Sequence, residues 1–211
     1  MNKKLSSIYS RLYAAFGPQS WWPGDSAFEV SVGAILTQNT NWANVEKAIE
    51  TLKREKKLSA KALHALPQPQ LAQLIRSAGY CNIKSKRLKN FIRFLREEYQ
   101  GSMEKMAKED LQIIRNKLLA VNGIGPETAD SIILYALGLP VFVIDAYTKR
   151  ILSRHGILEH DDPYDSYQHL FHTYLDRNVR LFNEYHALLV RLAKAYCRTE
   201  PVCHACPLRD I

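Results

Sequence analysis

Apolar residues recur along most of this chain at the three- and four-residue intervals of an amphipathic helix. Val45, Ala48, Ile49 and Leu52 stand at i, i+3, i+4 and i+7, and Leu71, Leu74, Ile75 and Ala78 repeat the pattern. Leu88, Phe91, Ile92, Leu95 and Tyr99 carry it over several turns, and Tyr185, Leu188, Leu189, Leu192 and Tyr196 line a further face. From Ala27 to Leu36 the chain is apolar nearly all round, which predicts a helix buried on most sides. Pro69 suits a first helical turn, and Gly79, Gly101 and Gly156 suit helix ends. Strand-like alternation is missing. The one β-branched run, Val141-Phe142-Val143-Ile144, is too short and solitary to build a sheet and reads as a buried connector entering a helix at Ala146. The predicted class is all-α.

Composition narrows the partners. With 46% hydrophobic and 24% charged residues over 211 positions, the chain has material for a real core, which excludes a disordered protein. No apolar run approaches the roughly 18 residues of a membrane helix. Ser6, Ser7, Ser10 and Arg11 break any signal-peptide core, so a cytoplasmic, nucleoid-associated protein with no membrane contact is expected. Twenty-nine Lys and Arg against twenty-one Asp and Glu leave a net +8. Such an excess suits a polyanion, because phosphates attract basic side chains and release counterions on contact. It is equally compatible with solubility alone.

The stretch Asn122-Gly-Ile-Gly-Pro-Glu-Thr-Ala129 says more. A helix ending at Val121 can close at Gly123, with Ile124 turned inward as an anchor. Gly125 permits close backbone approach, and Pro126 opens the next helix without wasting an N–H. Backbone N–H groups in such a turn form a phosphate site that reads no base. A plain helix–helix turn is the competing reading.

Hairpin, downstream Val143-Ile-Asp-Ala-Tyr-Thr-Lys-Arg150, the Leu36-Thr-Gln-Asn-Thr40 segment and a cysteine-rich tail together resemble the helix-hairpin-helix DNA glycosylases of the endonuclease III superfamily. The resemblance implies a two-lobed α fold with a C-terminal iron–sulfur loop. A central lobe over 27–139 would carry the hairpin, and a second lobe would join 1–26 to 140–211. The implied partner is double-stranded DNA with a damaged base, bound by a monomer through Gly123, Ile124, Gly125 and Thr128, with Gln38 filling the gap left by the flipped nucleotide. Lys149 and Arg150 could reach phosphates, but basic residues on a helix more often form a solvated face.

The resemblance also puts the catalytic carboxylate at Asp145. A carboxylate there stabilises the oxocarbenium-like sugar or directs water to it. By position alone Asp145 also reads as a helix N-cap. At Glu127, lyase members of the family carry a lysine that forms a Schiff base with the sugar. A carboxylate cannot form that imine, so a monofunctional, water-using enzyme is expected. A first-turn Glu is also favourable for the helix itself. All three tryptophans fall in Trp21-Trp22-Pro23 and Trp42, an arrangement similar to the type III 3-methyladenine DNA glycosylases. There the matching aromatic residues line the base pocket with the matching Glu127 nearby, and cationic alkylated purines suit aromatic faces. Core packing is the other reading of these tryptophans. The remaining alternatives are an endonuclease III-like lyase acting on oxidised pyrimidines and a non-catalytic DNA-binding module.

Cys197, Cys203 and Cys206 crowd the tail, whereas Cys81 stands alone. Resemblance implies a [4Fe-4S] cluster on these three, its fourth ligand falling at position 212; zinc is the chemical rival. The seven histidines make no metal motif, and His169 and His172 are expected in solvent.

Overall fold

The computed structural model describes residues 1–211 and contains helices, tight turns and loops, with no strand. Two compact units emerge, Pro23–Leu139 and Met1–Trp22 with Pro140–Ile211. No helix is long and apolar enough to cross a membrane.

Within 23–139, α2 (Ala27–Leu36) is buried from Glu29 to Leu36, as its all-round apolar sequence requires. Ser26 caps it by accepting the Glu29 N–H at 3.2 Å, and Lys53 pairs with Glu29 at 2.7 Å from the next helix. α3 (Trp42–Arg54) buries the expected Val45, Ala48, Ile49 and Leu52. After α4 (Ala60–Ala65), α5 spans Gln68–Leu74 and gives way to a tight turn over Arg76–Ala78. The apolar pattern from Leu71 to Ala78 is therefore shared by two elements. The tighter turn presents the Ala78 carbonyl to the buried Lys84 ammonium at 2.7 Å.

The long α6 (Cys81–Tyr99) packs on α4 and α5 through Leu88, Phe91, Ile92 and Leu95. It ends at Gln100 and Gly101, both left-handed, where the Gly101 N–H returns to the Leu95 carbonyl at 2.9 Å. α7 (Met103–Met106) leads to α8 (Leu111–Leu119), capped by Asp110. α9 (Pro126–Ser131) continues into a wider turn over Ile132–Ala136 that lies against α2.

In the other unit, α12 (Val179–Ala195) lies against α1 (Asn2–Phe16) and α10 (Ala146–Arg154), with α11 (Tyr164–Tyr174) also touching α1. An aromatic cluster fills the centre. Phe142 stacks on Phe171 at 3.6 Å and meets Phe182 and Tyr185 edge-on. Residues 141–144 form the expected buried connector, each at most 2% exposed. Three expectations for polar residues change here. His172 is half-buried, and its Nε2 accepts the Phe142 N–H at 2.9 Å, so it does not sit in solvent. Lys149 and Arg150 are likewise turned inward, onto the carbonyls of Asp162 at 2.6 Å and Cys197 at 2.8 Å.

Candidate active site

The hairpin joins α8 to α9. α8 stops at Leu119, two residues before the expected Val121, and Ala120 serves as its cap. Gly123 takes φ +97°, and Ile124 turns inward to 5% exposure, its N–H bound to the Val121 carbonyl at 3.0 Å. Gly123 is needed for a second reason. A Cβ there would lie 2.3 Å from the Arg87 Cγ, because the aliphatic stem of Arg87 crosses the turn. Gly125, Pro126 and Glu127 are exposed, and no side chain caps the first turn of α9. The first-turn N–H groups of α9 are thus without a side-chain acceptor, the condition under which a helix start can meet an anion.

Gln38 is drawn into this turn. Its amide nitrogen donates to the Gly123 carbonyl at 3.1 Å and to the Thr128 hydroxyl at 2.9 Å, and its oxygen accepts from Arg87. Thr128 is itself buried. Both residues thus brace the hairpin from within, and any insertion of Gln38 into a duplex must give up these bonds. Below them, Arg115 and the fully buried Asp130 form a two-point pair at 2.8 and 3.2 Å that ties α8 to α9. Lys84 donates to the Leu36 and Ala78 carbonyls at 2.8 and 2.7 Å. Burial, and after it the neighbouring Arg87, push its pKa down to about 8.

In the other unit, Asp145 caps α10, its Oδ1 accepting the Thr148 N–H at 2.7 Å. Its Oδ2 lies 3.6 Å from Nε2 of His186, a residue of α12 that is 5% exposed. Burial works against the charge on Asp145, but His186 and the Thr148 N–H outweigh it and hold the carboxyl below its ordinary range. His186 is the neighbour that sequence reasoning missed; its position in an apolar helical run carries no local signal. Trp21 and Trp22 meet edge-on at 5.4 Å, and the Trp21 indole N–H is buried without a protein partner. Pro23, Trp42 and Glu127 belong to the 23–139 unit, where Trp42 opens α3 half-buried.

In the tail, Cys197 is buried, Cys206 half-buried and Cys203 exposed. Arg154 reaches the Cys197 Sγ at 3.4 Å and the carbonyls of Arg198 and Thr199 at 2.6 and 3.0 Å. Burial raises the Cys206 thiol, and the nearby Cys197 and Cys203 add to the shift. No group of three or more His, Cys, Asp or Glu side chains is arranged to hold a metal ion, and a cubane takes four thiolates where residues 197–206 offer three. Residues 197–206 alone do not complete a cluster site.

Comparison with known proteins decides the family. The model of the HhH-GPD superfamily base excision DNA repair proteins matches residues 32–176. The chain belongs to this superfamily. A Methanocaldococcus jannaschii protein named "Putative DNA repair glycosylase" is 46% identical over 98% of this chain and 94% of its own length. Bacillus subtilis endonuclease III is 25% identical over 87% of this chain and 80% of its own. Among solved structures, the Helicobacter pylori 3-methyladenine DNA glycosylase MagIII, bound to 1,N6-ethenoadenine, superposes with a TM-score of 0.76. It is 29% identical and covers 92% of this chain and 96% of its own. An endonuclease III–DNA complex shares the fold, with a TM-score of 0.83 at 21% identity over 99% of this chain and 93% of its own. This member of the HhH-GPD superfamily is thus a DNA repair glycosylase.

Proposed function

We propose that the protein is a monofunctional glycosylase that hydrolyses the N-glycosidic bond of alkylated, 3-methyladenine-type bases flipped out of duplex DNA. The observation that carries the reading is Glu127. At the hairpin position where lyase members carry their Schiff-base lysine, this chain places an exposed carboxylate. In the proposed reaction the C1′–N bond breaks with its electron pair going to the cationic base, which leaves neutral. Water adds to C1′ and gives up a proton, while the ionised Asp145 stabilises the positive sugar or orients that water. An alkylated purine already leaves easily, so this modest assistance suffices.

Binding supports the same reading. The backbone N–H groups of Gly123 and Gly125 would take a phosphate of the duplex, with Ile124 anchoring the turn beneath them through its own bond to Val121. Trp21 and Trp22 in one unit, and Pro23, Trp42 and Glu127 in the other, are the proposed contacts to the flipped base, and the buried Trp21 N–H has a donor to offer. The 29% identical MagIII, solved with an adenine adduct, points to the same substrate class. Release of 3-methyladenine from methylated DNA, without strand nicking and without a borohydride-trapped adduct, is the expected result. A trapped covalent adduct would overturn it in favour of an endonuclease III-like lyase. Iron analysis of anaerobically purified protein tests the cluster separately: about four irons per chain would support it, and stoichiometric zinc would reject it.

A further inference from the structure

Residues 141–144 run through the interior with no strand beside them, so their peptide groups depend on side chains for partners. α11 supplies them from Tyr164, Gln168 and His172, which stand at i, i+4 and i+8 on one helical stripe. His172 Nε2 accepts the Phe142 N–H at 2.9 Å, which requires that nitrogen to be unprotonated. Gln168 Nε2 donates to the Phe142 carbonyl at 2.8 Å, and the Tyr164 hydroxyl accepts the Ile144 N–H at 3.2 Å. Both peptide groups of Phe142 are thus bound by one helix, the same helix on which its ring stacks through Phe171.

Apolar burial cannot set the register of this segment. Val141, Phe142, Val143 and Ile144 are all apolar and all buried, so a shift by one residue would exchange one buried apolar face for another. The directional bonds do discriminate, because in an extended segment a one-residue slip turns the backbone groups to the opposite side and takes the N–H donors from His172 and Tyr164 and the carbonyl acceptor from Gln168. The segment ends in Asp145, whose carboxylate would move with it.

We propose that Tyr164, Gln168 and His172 form a register lock that positions the Asp145 carboxylate. They are positioning residues and touch no substrate. The proposal rests on the reading of Asp145 as the catalytic carboxylate, and the experiment separates the two. His172→Leu removes the acceptor, Gln168→Met removes the donor, and Tyr164→Phe removes a single oxygen. His172→Gln restores an acceptor close to the place of Nε2.

Amide hydrogen exchange and single-turnover base release are measured on each, with affinity for duplex DNA alongside. Exchange at Phe142 should accelerate roughly tenfold in His172→Leu and exchange at Ile144 similarly in Tyr164→Phe, the scale of one lost hydrogen bond. Base release should fall about five- to tenfold with duplex affinity unchanged, and His172→Gln should recover both exchange and rate. Unchanged exchange would overturn the lock. Faster exchange with an undiminished rate would overturn its link to the carboxylate, as would a rate and affinity that fall together without rescue by His172→Gln. If His172→Leu does not fold, Tyr164→Phe reads the lock at Ile144. An Asp145→Asn variant that keeps its rate would instead reject the assignment of Asp145, leaving the exchange data to decide the lock.

Discussion

The hairpin of the 23–139 unit and the connector of the other unit solve opposite problems. The hairpin leaves the start of α9 without a side-chain cap, and its turn is made by glycines and a proline that are near neighbours in sequence. The connector carries its polar groups into a buried setting, and the Phe142 N–H, the Phe142 carbonyl and the Ile144 N–H are met there by side chains of α11, 20 to 30 residues further along the chain. Geometry built from neighbours in sequence is carried by local motif residues. Geometry built from distant residues is carried by directional bonds, and these can fail one at a time.

The sharpest way to break this contrast is at the carboxylate. Asp145→Asn should lower single-turnover base release about 10²- to 10³-fold, the usual scale for losing electrostatic stabilisation of a transition state, and should spare duplex affinity. The depressed pKa adds a sign. The stabilisation tied to ionised Asp145 is present above the unfolded value of about 3.9 and is lost as pH falls through the lower folded value. Base release should therefore show no acid limb from this group between about pH 7 and pH 5.

Asp130→Ala comes next. It leaves Arg115 beneath the hairpin without its carboxylate, 14% exposed, and should cost about 3 kcal/mol in urea denaturation. Gly123→Ala should cost about 2 kcal/mol for its positive φ, with Arg87 forced from the turn and duplex affinity reduced. Its base release from saturated complex should persist; a loss as deep as that of Asp145→Asn would erase the division between the two regions. The smallest effect is on pH. Lys84 loses its proton near 8 in the folded state but near 10.4 when unfolded. Stability from this group should therefore rise between those values, a rise that Lys84→Met should abolish in denaturation curves.

Much of the scaffold was legible because its causes are local. The periodicity of Val45 to Leu52 and of Leu88 to Tyr99 reports a buried helical face wherever that helix goes. Gly123, Ile124 and Pro126 each act within the turn they occupy. What stayed hidden depends on distant partners. His172 meets a backbone N–H from 30 residues earlier, and nothing in its own helix distinguishes it from a solvent-facing residue. His186 sits in an apolar run whose pattern speaks only of burial. Gln38 showed its segment but not its partners, since Arg87 and Thr128 come from other helices.

α10 has a consequence of its own. Asp145 stands at its start, while Arg150 and Arg154 on its later turns hold the cysteine-bearing tail by four hydrogen bonds, to the Cys197 carbonyl, the Cys197 sulfur and the carbonyls of Arg198 and Thr199. Nine residues make a rod about 13 Å long, too short to bend appreciably. Displacing the tail would tilt the whole rod and swing the carboxylate at its far end. Oxidation or clipping between Cys197 and Thr199 should then register as slower base release with duplex affinity unchanged.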